Sequence, residues 1–94
     1  MSWKGAVSQT LRELRLHMCQ TGPGSAGLRA FVQTEYPALK AQYPDLPVLV
    51  REAAGVEARA YGRFAHGREQ RLTLEGLSQQ DVAAKLKQLV ASSA

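Results

Sequence analysis

Two apolar patterns separated by a glycine-rich break leave this chain few ways to fold. Leu14, Leu16 and Met18 alternate with Glu13, Arg15 and His17. A period of two predicts a strand over roughly Leu11 to Met18, with one face on a core. Gly22-Pro23-Gly24-Ser25 then reads as a loop. Leu28, Phe31, Val32 and Leu39, with Tyr36 beside them, fall near one helical face, and Ser25 offers that helix an N-cap side chain. Pro37 removes a backbone donor and restricts Tyr36, which predicts a kink or stop there and helical continuation to about Gln42. Past Tyr43-Pro44-Asp45-Leu46-Pro47, the continuous apolar run Val48-Leu49-Val50 suits a strand buried on both faces. Two strands joined by a helix should lie parallel, with a right-handed crossover.

The second half changes character. Residues 59–64 and 69–74 read as strands around Ala65-His66-Gly67-Arg68, where Gly67 can take the positive φ of a tight turn, so an antiparallel hairpin is expected. Ser78 with Asp81 three residues later resembles a capping box. Val82, Leu86, Leu89 and Val90 follow as a helical stripe. The order β-α-β-β-β-α predicts an α/β domain with a four-stranded mixed sheet and helices packed on it, the economical thioredoxin-like core. The expected layout is one domain over residues 1–94, with 1–10 as an N-terminal extension and 92–94 as a flexible tail.

Composition narrows the function. A chain of 94 residues buries only about 60–65% of its unfolded surface, so it folds with little margin. Its single cysteine, Cys19, rules out an intramolecular disulfide, and the core alone must hold the fold. The net charge of +4 divides evenly, because residues 1–47 carry five Lys/Arg against three Asp/Glu and residues 48–94 carry seven against five. That balance fits an anionic protein, lipid or RNA partner and selects none of them. No apolar run of about 18 residues exists to span a membrane. The roughly ten residues before the first strand are too few for a secretory signal or a typical cleavable transit peptide.

Residues 22–27, Gly-Pro-Gly-Ser-Ala-Gly, match the G-x-G-x-x-G dinucleotide fingerprint, with Glu52 near the end of the next strand. A dinucleotide site is normally built from two βαβ halves, and a hairpin stands where the second would be, so a turn that admits the backbone to the helix is the better reading. Leu28 and Arg29 occupy positions where a phosphate loop needs Lys and Ser/Thr. Cys19 precedes a helix N-terminus, which lowers a thiol pKa. Gly22 stands where a dithiol mechanism needs a second cysteine, and no proline after Pro47 supplies the cis-proline of thioredoxin-like enzymes. A monothiol route through Cys19 remains beside the reading of an inert thiol. His17 and His66 lack companions at ligand spacing; the first reads as a hydrogen-bonded strand residue and the second as a turn residue. No catalytic, cofactor-binding or metal-binding residue is assigned. Arg59, Arg63, Arg68 and Arg71, interleaved with Tyr61 and Phe64, suit an RNA surface, a protein interface or a solvated strand face.

The run Leu11-Arg12-Glu13-Leu14-Arg15-Leu16-His17-Met18-Cys19-Gln20, then Pro23-Gly24-Ser25, Gly27, Arg29 and Phe31, resembles the opening of a small accessory subunit of mitochondrial NADH:ubiquinone oxidoreductase, respiratory complex I. Leu39-Lys40 and the segment from Pro44 to Glu52 continue the likeness, which is thin beyond that point. The resemblance implies a thioredoxin fold, no catalysis and no cofactor. It also implies a peripheral place on the matrix side of the inner membrane and contact with the large iron–sulfur subunit of the peripheral arm. The family's cysteine pair implies a redox-sensing disulfide, but Ala53 stands where the second cysteine would follow Arg51-Glu52, so Cys19 is unpaired. Pro37 is a second departure from the family pattern. The same domain type occurs in mitochondrial ribosomal proteins, which makes rRNA binding the alternative. Arg51, Arg59, Tyr61 and Arg63 are the expected partner interface, on the hairpin and the neighbouring sheet edge, where strands offer unpaired backbone groups.

Overall fold

The computed structural model describes Trp3 and residues 7–92. Strand β1 (Leu11–Met18) leads through a 3-10 turn at Pro23–Ser25 into helices α1 (Ala26–Thr34) and α2 (Tyr36–Gln42). Strands β2 (Val48–Glu52), β3 (Arg59–Phe64) and β4 (Glu69–Thr73) follow, and helix α3 (Gln79–Ala91) ends the fold. The four strands form one mixed sheet in the order β2-β1-β3-β4. β1 pairs parallel with β2, with Leu14 opposite Val48 and Leu16 opposite Val50. It pairs antiparallel with β3, and β3 with β4. This is the α/β architecture expected from the periodicity.

The break expected at Pro37 lies between α1 and α2. Glu35 ends the first helix, and proline occupies the first turn of the second, where its missing N–H costs nothing. The hairpin turns through His66 at φ 65° and Gly67 at φ 73°. Ser78 caps α3 as expected, its hydroxyl accepting the Asp81 N–H at 3.2 Å.

Two expectations need correction. Ser25 stands at the N-cap of α1 but gives the helix no side-chain bond. Its buried hydroxyl instead accepts the Cys19 N–H at 3.0 Å, satisfying the donor left when the chain turns out of β1. The run Val48-Leu49-Val50 is not buried on both faces. The core packs on only one face of the sheet, so Val48 and Val50 face it while Leu49, on the other face of β2, is 41% exposed. A short apolar run cannot report which of its faces a helix will cover.

All the core lies on one side of the sheet. Leu14, Leu16 and Met18 from β1, Ala60 and Phe64 from β3 and Val48 from β2 meet Leu28 and Phe31 of α1, Leu39 of α2, and Val82, Leu86, Leu89 and Val90 of α3. The stripe on α3 is buried throughout. Gly27 lets α1 reach the start of α3, since a Cβ there would overlap the Leu77 carbonyl oxygen. Trp3 joins this core fully buried, its ring edge-on to Phe31 at 5.7 Å with the Lys87 ammonium 5.7 Å from its centre. The Trp3 backbone N–H donates to Gln42 Oε1 at 2.7 Å. Residues 1, 2 and 4–6 of the expected extension and 93–94 of the expected tail lie outside the described residues.

Candidate interaction face and the Cys19 turn

Strand alternation that buries one face leaves the other to solvent. Register puts Arg15 opposite Leu49 on one side and Tyr61 on the other, and His17 opposite Arg51 and Arg59. Tyr61 in turn faces Arg71, and Arg63 lies between Glu13 and Glu69. No residue on this side belongs to the buried core. The result is a broad surface with arginines from all four strands, Arg15, Arg51, Arg59, Arg63 and Arg71, and with an apolar island at Leu49.

Two acids on and beside this face, Glu13 and Glu57, are already engaged. Glu13 pairs with Arg15 at 3.1 Å and with Arg63 at 3.6 Å. The Arg15 hydrogen bond is the main reason its carboxyl sits below the usual range. Glu57 binds Arg59 at 3.0 Å and accepts the Thr73 hydroxyl at 3.2 Å, which lowers its pKa likewise. Near the centre the His17 ring lies tilted over Tyr61 with centroids 4.9 Å apart, rather than in the hydrogen bond expected for it. Burial lowers the His17 pKa first, and the charges of Arg51, Arg15 and Arg59 lower it further. The ring is therefore neutral at physiological pH.

The four residues anticipated as an interface, Arg51, Arg59, Tyr61 and Arg63, all fall on this one face, Arg51 on β2 and the others on β3. Arg15, His17 and Leu49 share the surface and were not among them. Their alternation was visible in β1, but a strand's solvent side carries no signal until its neighbours are known. Arg68, in contrast, lies in the hairpin turn rather than on a strand.

Cys19 directly follows the last residue of β1. Only 8% of its surface is exposed. The Gly22 N–H donates to its sulfur at 3.2 Å and the Gly55 N–H at 3.4 Å. Backbone donors at Thr21, Gly55 and Gly22, in that order of effect, hold its pKa down to about 7 against the opposing effect of burial. Arg29 braces the turn, donating to the Cys19 and Gly22 carbonyls, each at 2.8 Å. Ala53, where the resemblance implied a second cysteine, is exposed and donates its N–H to the Met18 carbonyl at 3.1 Å. Among the described residues there is no cis peptide bond and no gathering of three metal-ligating side chains.

A mixed sheet with one helical face and one arginine-rich open face defines a small α/β domain with a bare basic surface. Residues 28–79 match the family model described as the mitochondrial ribosomal protein L51 / S25 / CI-B8 domain, and the chain belongs to that family. Over its whole length it is 39% identical to NADH dehydrogenase [ubiquinone] 1 alpha subcomplex subunit 2 of Arabidopsis thaliana, covering 97% of that protein. It is 41% identical to the NADH-ubiquinone oxidoreductase 10.5 kDa subunit of Neurospora crassa, over 96% of each chain. The Mus musculus alpha subcomplex subunit 2 is 38% identical over 89% of this chain and 85% of its own. These relatives favour the complex I branch of the family over the ribosomal one.

Proposed function

We propose that this chain is a non-catalytic accessory subunit of mitochondrial respiratory complex I. It sits peripherally on the matrix side of the inner membrane and docks on the large iron–sulfur subunit of the peripheral arm. No helix among the described residues is long and apolar enough to cross a membrane, which suits attachment through protein contacts. The observation that carries the reading is the helix-free face, where Arg51, Arg59, Tyr61 and Arg63 stand together beside exposed Leu49. Arginine and tyrosine are favoured where interfaces concentrate their binding energy, and an apolar patch at their edge is what a partner would cover. Cys19 fits a structural role, because its sulfur is nearly enclosed and its neighbours are backbone donors.

Replacing Arg51, Arg59 and Arg63 together by glutamate tests this. The variant should fold with a thermal midpoint close to that of the parent chain and disappear from the NADH dehydrogenase band of native gels of mitochondrial extract. A folded variant that still co-migrates in full would refute the assignment of this face. A parent chain absent from that band would refute the function itself.

A further inference from the structure

We propose that the open sheet face receives an acidic protein segment, with one of its carboxylates seated over His17 among Arg15, Arg51 and Arg59, and that docking takes up a proton at His17. The inference rests on the docking reading above and adds the partner's chemistry and its dependence on pH.

The argument begins with charge accounting. The groups facing His17 are Arg15 on its own strand, Arg51 on β2, and Arg59 and Tyr61 on β3. Three are cations and none is an acid. Arg59 is tied to Glu57 and Arg15 to Glu13, but Arg51 has no ion pair among the described residues. A cluster of this sign beside a half-buried imidazole is complete only when an anion arrives.

The surroundings favour a protein carboxylate over an RNA phosphate. Leu49 offers an apolar contact next to Arg15, which suits a side chain of a folded partner. The one aromatic ring in the centre, Tyr61, is already occupied by His17 and is not free for base stacking. Glu13 and Glu69 flank Arg63 and would repel a continuous phosphate backbone running along the face.

The direction of the pH effect follows. In the free chain, burial and the three arginines keep His17 neutral. A carboxylate placed over the ring cancels part of that repulsion and raises its pKa. The bound state then holds more protons than the free state, so affinity increases as pH falls through the bound-state value and levels off below the free-state value.

Titration of the isotopically labelled full chain, followed by amide and imidazole signals, tests the proposal with poly-L-glutamate and poly-uridylate as probes at pH 6 and pH 8. Poly-glutamate should shift the signals of Arg15, His17, Arg51 and Arg59 and bind about three-fold or more tightly at the lower pH. His17→Gln should fold, still bind and lose that pH dependence, while His66→Gln in the hairpin turn should keep it. Tighter binding of poly-uridylate to the same face would overturn the choice of partner. A pH dependence that survives His17→Gln would overturn the role of the imidazole. Either result leaves co-migration with NADH dehydrogenase untouched, so failure of this inference is distinguishable from failure of the functional reading.

Discussion

Single residues set two measurable properties. Trp3 is wholly enclosed against Phe31, so Trp3→Ala removes a large ring from the core and should cost about 3–5 kcal/mol, read as a lowered denaturant midpoint. In a domain this small that is a large share of the total stability. Cys19 is the second case. Its pKa of about 7 lies below the value of about 8.5 for an unfolded thiol, so the folded thiolate contributes stability that is fully present above pH 8.5 or so. That contribution is lost as pH falls through about 7. The denaturation midpoint of the parent chain should therefore rise between pH 6.5 and pH 9 relative to Cys19→Ser. Parallel midpoints for the two chains would contradict the assigned hydrogen bonds at the sulfur. A lone cysteine before a helix pointed towards this shift in the sequence. The Gly55 donor, 36 positions away, did not show there.

At the scale of elements, two serines that look alike in sequence act differently. Ser78 caps α3, and Ser78→Ala should cost about 1 kcal/mol. Ser25 stands at the start of α1 yet binds the Cys19 N–H, so Ser25→Ala leaves a buried donor unpaired and should cost about 1–3 kcal/mol. Urea unfolding of the two variants would rank them, and a neutral Ser25→Ala would show that the donor finds another acceptor. Strand β2 carries a further contrast. Leu49 faces solvent on an edge strand, so Leu49→Asp should alter stability by no more than about 0.5 kcal/mol while reducing incorporation into the NADH dehydrogenase complex on native gels. The same exchange at Val48, which faces the core, should prevent folding.

For the whole molecule, docking through a basic face implies sensitivity to salt, because exposed charges are screened over about 8 Å at physiological ionic strength. Raising salt during native extraction should release the parent chain from the complex before it unfolds it. What the sequence determined by itself was local: the period-two run of β1, the break before Pro37, the hairpin around Gly67 and the stripe on α3 follow from side-chain spacing and backbone restriction within a few residues. The four residues named for an interface were legible as a basic, aromatic cluster, but not as members of one surface with His17 and Leu49. Only the tertiary structure decided that, because the crossover helices and α3 all pack on the same side of the sheet and leave the other side bare. Periodicity tells a strand that it has two faces, and the packing of distant elements determines which of them meets water.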